Sequence, residues 1–403
     1  MDAYKQYMGE TVKIFGGTKF DSSQFAENTF AYEKRIAEIT PDKAEYLTPA
    51  SVFKRRFSIR ELKLIAPSIK WTDVLQRFFS KARLNDNTRV LLAFEGYFRN
   101  VSNVISTTDS RGLNDYLIWR MVSTYAPYLS RDFRLVHRNF RQALLGMPSS
   151  MLLDDAHRWR FCLDTTSKFM GYGLASLYIN GRIADISNAT VQAKNDVVNS
   201  IRETILKHSG SLFDWSGGTS QESPANEEAT RLVNMKLKAM EVLVGQPNFV
   251  MKTDRLVAYY NEYMVQVKFL ENIFEAIDHR HKKMEMLLSE KNVDTSWPVL
   301  PYEVAVRYDY AANKLYVPFG VLLPPFYSSS EPAVLQFGGL GVQVAAQLLK
   351  AFDLVGLHYG LPDGRLSSNR SHSSHRGFNR KLACLRDVLT ELEPESLKVR
   401  YCC

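Results

Sequence analysis

The sequence predicts a mainly α-helical protein with a small β portion, arranged in two lobes. Three observations carry that expectation. Apolar residues recur at helical spacing through most of the first two-thirds of the chain. One stretch, Glu303 to Val321, alternates apolar and polar residues instead. The 403 residues, 45% apolar and 12% aromatic, are enough for two to three domains or one large two-lobed unit with a substantial core. Charged residues at 23% exclude a disordered chain.

In chain order, helical spacing runs through Glu61 to Leu64 and again through Trp71 to Phe79, with Pro67 as punctuation. Arg131 to Leu145 reads as an amphipathic helix. Phe133, Val136, Phe140 and Leu144 share one face, and Arg131, Arg134, Arg138 and Arg141 form a basic stripe elsewhere. Long helices are also expected over His157 to Tyr178 and Glu228 to Val244. Ser209 to Asn226 is rich in Ser, Gly and Asn and reads as a loop, anchored at its start by Leu212, Phe213 and Trp215. Asp254 to Leu288 is helical again. The alternating stretch then suggests a hairpin with its turn at Asn313, ended by Pro324 and Pro325. FGGLG (Phe337 to Gly341) leads into a last helix over Val342 to Leu354, and Gly364 to Arg380 is a Ser-, Arg- and His-rich loop.

The formal charge of +8 favours anionic partners or surfaces. No apolar run is long enough to span a membrane, and MDAYKQYMGETVKIFGG lacks the basic region and apolar core of a signal peptide. The four cysteines, Cys162, Cys384, Cys402 and Cys403, are too few for a disulfide scaffold and match no zinc-site spacing. Asn100, Asn188 and Asn369 stand in N-x-S/T sequons, compatible with a glycoprotein.

Tyr308 to Phe352 reads YDYAANKLYVPFGVLLPPFYSSSEPAVLQFGGLGVQVAAQLLKAF. This resembles the neprilysin family of zinc metallopeptidases, in which VNAFYxPxxNxIxFPAGILQPPFF precedes YGGIGxVIGHEITHGFDD. Asn313, Pro318, Gly320, Leu322, Pro324, Pro325, Phe326, Gly338, Gly339, Gly341, Phe352 and Asp353 fall in register without a gap. Upstream, AYEKRIAEIT, IRELKLIAPSIKW, LNDYLIWRMV and RWRFCLDTTSKFMGYGLASLYI are similar to further family segments, and FNRKLACLRD to one beyond the zinc helix. The resemblance implies a neprilysin-like architecture: a large helical lobe over residues 1–265 and a degenerate, C-terminally truncated thermolysin-like (zincin) lobe over 266–403. It also implies an extracellular or secreted setting.

The chemistry departs from the family. A zincin places two histidines at i and i+4 on one helix face to share a zinc ion, with a glutamate after the first as general base. In register, the histidine positions are Ala346 and Lys350 and the glutamate position is Gln347. Ala346 has no ligand atom, Gln347 cannot take up a proton near neutral pH, and the Lys350 ammonium repels a divalent cation. Leu340, Val344, Leu348 and Phe352 keep the buried stripe of that helix, with Ala346 and Lys350 opposite, facing the former cleft. The family's third ligand, a glutamate in an ENxAD-like helix, has no counterpart after Asp353; Glu391, Glu393 and Glu395 lack the surrounding motif. The Asn-Ala pair that holds substrate backbone in the family is Ala305 and Val306 here. Cys162 and Cys384 match family cysteines that are disulfide-bonded, with Cys402 or Cys403 as conceivable partners for Cys384.

The expectation is therefore a pseudopeptidase without the family's zinc, binding peptides or an active relative in the cleft between lobes. Alternatives are an active peptidase with displaced ligands, or a truncated gene product without an independent role. His358, His372 and His375 lie in a segment without a carboxylate at ligand spacing and read as solvated loop, and Asp278-His279-Arg280-His281 reads as a polar helix face. The arginine stripe, and the five basic residues from Arg365 to Lys381, could hold an anionic glycan; no nucleic-acid motif accompanies them.

Overall fold

The computed structural model describes residues 1–42, 56–146, 158–182, 192–209, 224–289, 297–353, 356 and 382–388. Asn188 and Asn369, the three histidines from His358 to His375, the three glutamates from Glu391, Cys402, Cys403 and nearly all of both expected loops lie outside them. The chain divides into two compact units. The first comprises Met1–Ser176 and Asn248–Ser296, the second Leu177–Pro247 and Trp297–Cys403. This division is discontinuous in sequence, unlike the single cut expected at residue 265.

The first unit is almost entirely helical. Helices Asp2–Ile14, Lys19–Ile39, Ser110–Tyr125 and Arg131–Leu145 enclose Tyr7, Met8, Ala26 and Trp119, with Val136 and Phe140 packed against them. Trp119 Nε1 donates to Tyr4 Oη at 2.8 Å, so the buried indole N–H is satisfied. The amphipathic helix keeps its expected bounds, but Leu144 does not join its apolar face. It is 67% exposed, one turn past the last core contact and beside Gly146, whose φ of 62° ends the helix.

A second core, around Ile59, Leu62, Ile65 and Trp71, joins helices Ile59–Ile65 and Trp71–Phe78 to a small antiparallel pair that the sequence did not announce, β1 (Arg56–Ser58) and β2 (Arg89–Leu91). Ser58 and Glu61 form a capping box: the Ser58 hydroxyl accepts from Glu61 N, and the Glu61 carboxylate accepts from Ser58 N at 2.6 Å. The Ser58 N–H, and the Ser58 hydroxyl that donates to the same carboxylate at 2.7 Å, hold the Glu61 carboxyl below its ordinary range.

The expected helix over Asp254 to Leu288 is two helices, Thr253–Tyr259 and Phe269–Ser289. Between them, the Asn272 side chain accepts from Gln266 N at 2.5 Å and donates to Gln266 O at 2.9 Å, closing a loop that periodicity does not reveal. His279 does not belong to a polar face. It is buried beside Tyr259, Tyr260 and Tyr263, with Nε2 3.0 Å from the Tyr259 carbonyl.

The second unit carries a three-stranded sheet in the order β3 (Glu241–Gly245), β5 (Lys314–Pro318), β4 (Arg307–Asp309). The β4–β5 hairpin is the expected one, turned at Asn313 with φ 52°. β3 runs parallel to β5 and replaces the end of the expected 228–244 helix, which stops at Lys238. Central β5 buries Leu315, Tyr316 and Val317 on both faces, as a middle strand must. No helix among the described residues is long and apolar enough to cross a membrane.

Candidate functional site

The site is built on one continuous helical run, 333–352, that packs against β4 and β5. It begins earlier than the sequence suggested, at Ala333, and passes through an i→i+5 turn over Phe337–Gly341 before Val342–Leu349 and a 3-10 turn, Lys350–Phe352. The wide turn has a local cause. The Leu340 N–H donates at 2.9 Å to the carbonyl of Phe326, outside the helix. Gly339 makes that approach possible, because a Cβ there would run into the same Phe326 carbonyl.

Leu340, Val344 and Leu348 are fully buried and Phe352 nearly so, which is the expected stripe. On the other side, Ala346 is exposed and Gln347 and Lys350 are half-buried. Ala305 (half-buried) and Val306 (buried) lie immediately before β4, an edge strand of the sheet. The helix and the edge strand thus belong to one unit and are brought together by packing.

Two features under this surface escape pattern reading. Lys236, on the Pro224–Lys238 helix, is 2% exposed, and its ammonium donates to the carbonyls of Ala351 at 2.9 Å and Gly356 at 2.5 Å. Asn313 ties the same segment to the hairpin: Nδ2 donates to Lys236 O at 3.0 Å, and Oδ1 accepts from Tyr308 Oη at 2.8 Å. Burial pushes the Tyr308 hydroxyl well above its ordinary range, helped by the charges of Asp309 and Asp353, so it is a neutral donor. Asp353 accepts from Tyr310 Oη at 2.9 Å and Gly356 N at 2.7 Å. Nothing in the sequence marks Lys236, which shares its helix end with a second lysine, Lys238.

These residues do not fit a zinc ion. Of the three at the motif positions, Ala346 offers no donor, Gln347 only a neutral amide and Lys350 a cation. Among the described residues, no group of three or more His, Cys, Asp or Glu could hold a metal. Elsewhere, Cys162 and Cys384 are exposed free thiols. Asn100 is exposed on the Glu95–Ser106 helix. Of the arginine stripe, Arg134 donates to the Leu129 carbonyl at 2.7 Å, and Arg138 is half-buried and engaged.

Two family profiles, both described as Peptidase family M13, match residues 1–245 and 306–401. Similar curated proteins include endothelin-converting enzyme 1 of Cavia porcellus, 27% identical over 96% of this chain and 49% of its own length. Neprilysin-3 of Drosophila melanogaster is 24% identical over 96% and 48%. The chain thus spans about half the length of the curated relatives it matches. Among solved structures, Mycobacterium tuberculosis zinc metalloprotease ZMP1 in complex with an inhibitor superposes with TM-score 0.79 at 18% identity, over 99% of this chain and 56% of its own. PepO from Lactobacillus rhamnosis gives 0.77 at 18%, over 95% and 56%.

Proposed function

The chain belongs to peptidase family M13, and on that premise we propose that it is a non-catalytic member, a scaffold that binds peptides or a protein partner without cutting them. The observation that carries this reading is the split along the 333–352 helix. Its packing face is kept, with Leu340, Val344 and Leu348 wholly buried, while Ala346, Gln347 and Lys350 stand where a zincin needs two ligands and a base. A surface that retains its shape without its proton acceptor can still hold a chain in an extended form. Edge strand β4 offers backbone groups of the kind that pair with such a peptide.

Purified protein analysed by elemental mass spectrometry is expected to carry far less than one zinc per chain, and to leave a quenched-fluorescent peptide intact with zinc added. Near-stoichiometric zinc together with cleavage would sink the reading. A triple variant, Ala346→His, Gln347→Glu and Lys350→His, is expected to take up more zinc than the parent, because two imidazoles one helical turn apart can share an ion.

The same reading places the protein in the secretory pathway, with Asn100 as a glycan acceptor. Its support is the Asn100-Val101-Ser102 sequon, in which the Asn100 side chain is exposed while Ser102 is buried against Ser68. On expression in secreting eukaryotic cells, glycosidase treatment is expected to remove one glycan's mass that the Asn100→Gln variant lacks. An unmodified Asn100 in secreted material would remove this part of the reading.

A further inference from the structure

We infer that the helix face that carries the ligands in a zincin is an anion site in this chain, taking a peptide carboxylate through Lys350, Gln347 and Gln343. The inference rests on the peptide-binding reading above and names the chemistry by which that surface would choose its peptide.

Gln343, Gln347 and Lys350 occupy positions i, i+4 and i+7, so they share one face of the 333–352 helix. All three side chains are half-buried, and none has a hydrogen-bond or ion-pair partner among the described residues. Ala346, exposed beside them, leaves open the space a longer side chain would fill. Lys350 is the only charged residue in 333–352, so no carboxylate on its own helix is available at i−3 or i−4. The closest acid in sequence, Asp353, already accepts from Tyr310 Oη and Gly356 N.

A half-buried ammonium and two carboxamides with unused N–H groups are matched by a ligand with several acceptor lone pairs and a negative charge. A carboxylate has both. A metal cation is repelled by the same ammonium, so the substitutions reverse the sign of the preferred ligand. Val342 and Leu349, 60% and 43% exposed on the same helix, supply apolar surface for the rest of a peptide.

The carboxylate can come from a peptide C-terminus or from an Asp or Glu side chain, and the experiment separates the two. Four pools of octapeptides labelled with an uncharged, carboxylate-free BODIPY dye are titrated against the full chain by anisotropy. They end in a free acid or an amide, and contain or lack Asp and Glu. Pools bearing a carboxylate are expected to bind at least about tenfold more tightly than the amidated, acid-free pool, the scale of a charge-assisted hydrogen bond. The better of the two singly charged pools identifies the source. Lys350→Met is expected to abolish that difference and Lys350→Arg to keep most of it. Both variants should melt with the parent, since the Lys350 side chain has no partner to lose among the described residues. Added salt should narrow the difference. Equal binding by all four pools, unchanged in Lys350→Met, overturns the carboxylate site and leaves peptide binding standing. Binding by no pool overturns both.

Discussion

Lys236→Met is expected to destabilise the second unit by about 2–4 kcal/mol, read as a lower urea midpoint or melting temperature of the full chain. The ammonium is 2% exposed and donates to two carbonyls, those of Ala351 and Gly356. Ala351 sits in the last turn of the 333–352 helix, where carbonyls have no intrahelical donor. Methionine has nearly the same length and fills the same space, so the loss isolates the hydrogen bonds from the packing. Two buried acceptors would be stranded at about 1–3 kcal/mol each, partly offset because a desolvated charge is no longer held. A variant as stable as the parent would mean that the desolvation penalty cancels both bonds. The helix end would then owe its position to Phe352 and Ala351 packing alone.

Gly339→Ala should be almost as costly, about 3 kcal/mol, whereas Gly338→Ala next to it should gain about 0.5–1 kcal/mol. At Gly339 the added methyl meets the Phe326 carbonyl, which is backbone and is also the acceptor for Leu340 N–H, so relief of the clash breaks the bond. At Gly338 nothing lies within 4 Å of the added carbon and φ is not in the left-handed region, so the variant only removes disorder from the unfolded chain. Parallel chemical denaturation of the two variants gives the comparison. Equal stability would deny the close approach of the 339 turn to residue 326. The pair also bears on the site, because that approach sets where Gln343, Gln347 and Lys350 begin along the helix.

Local pattern was sufficient wherever a period of two or 3.6 residues runs against a single buried face. The Arg131–Leu145 helix and the stripe from Leu340 to Phe352 were readable for that reason, while β5, buried on both faces, was readable from the turn at Asn313. The family was legible too, since the glycines and prolines between Asn313 and Gly341 answer to close approaches and turns with few substitutes. Gly320 and Gly339 each lie against backbone carbonyls that would reject a methyl group.

Glu241–Gly245 was not readable. A short apolar run looks the same at a helix end as in a strand, and pairing with Lys314–Pro318, some seventy residues away in sequence, decides it. The break before Phe269 depends on one asparagine folding back on Gln266, and the inward turn of His279 on three tyrosines around it. Lys236 is the plainest case. A lysine on a helix is solvated by default, and only the return of residues 351 and 356 to its side chain makes it a buried tie. The order of residues along the chain therefore specified the family and those helices whose apolar stripe packs on one buried face. Which distant segments share a unit, and which polar groups they bury together, was decided by folding, because burial depends on contacts between residues that no local window contains.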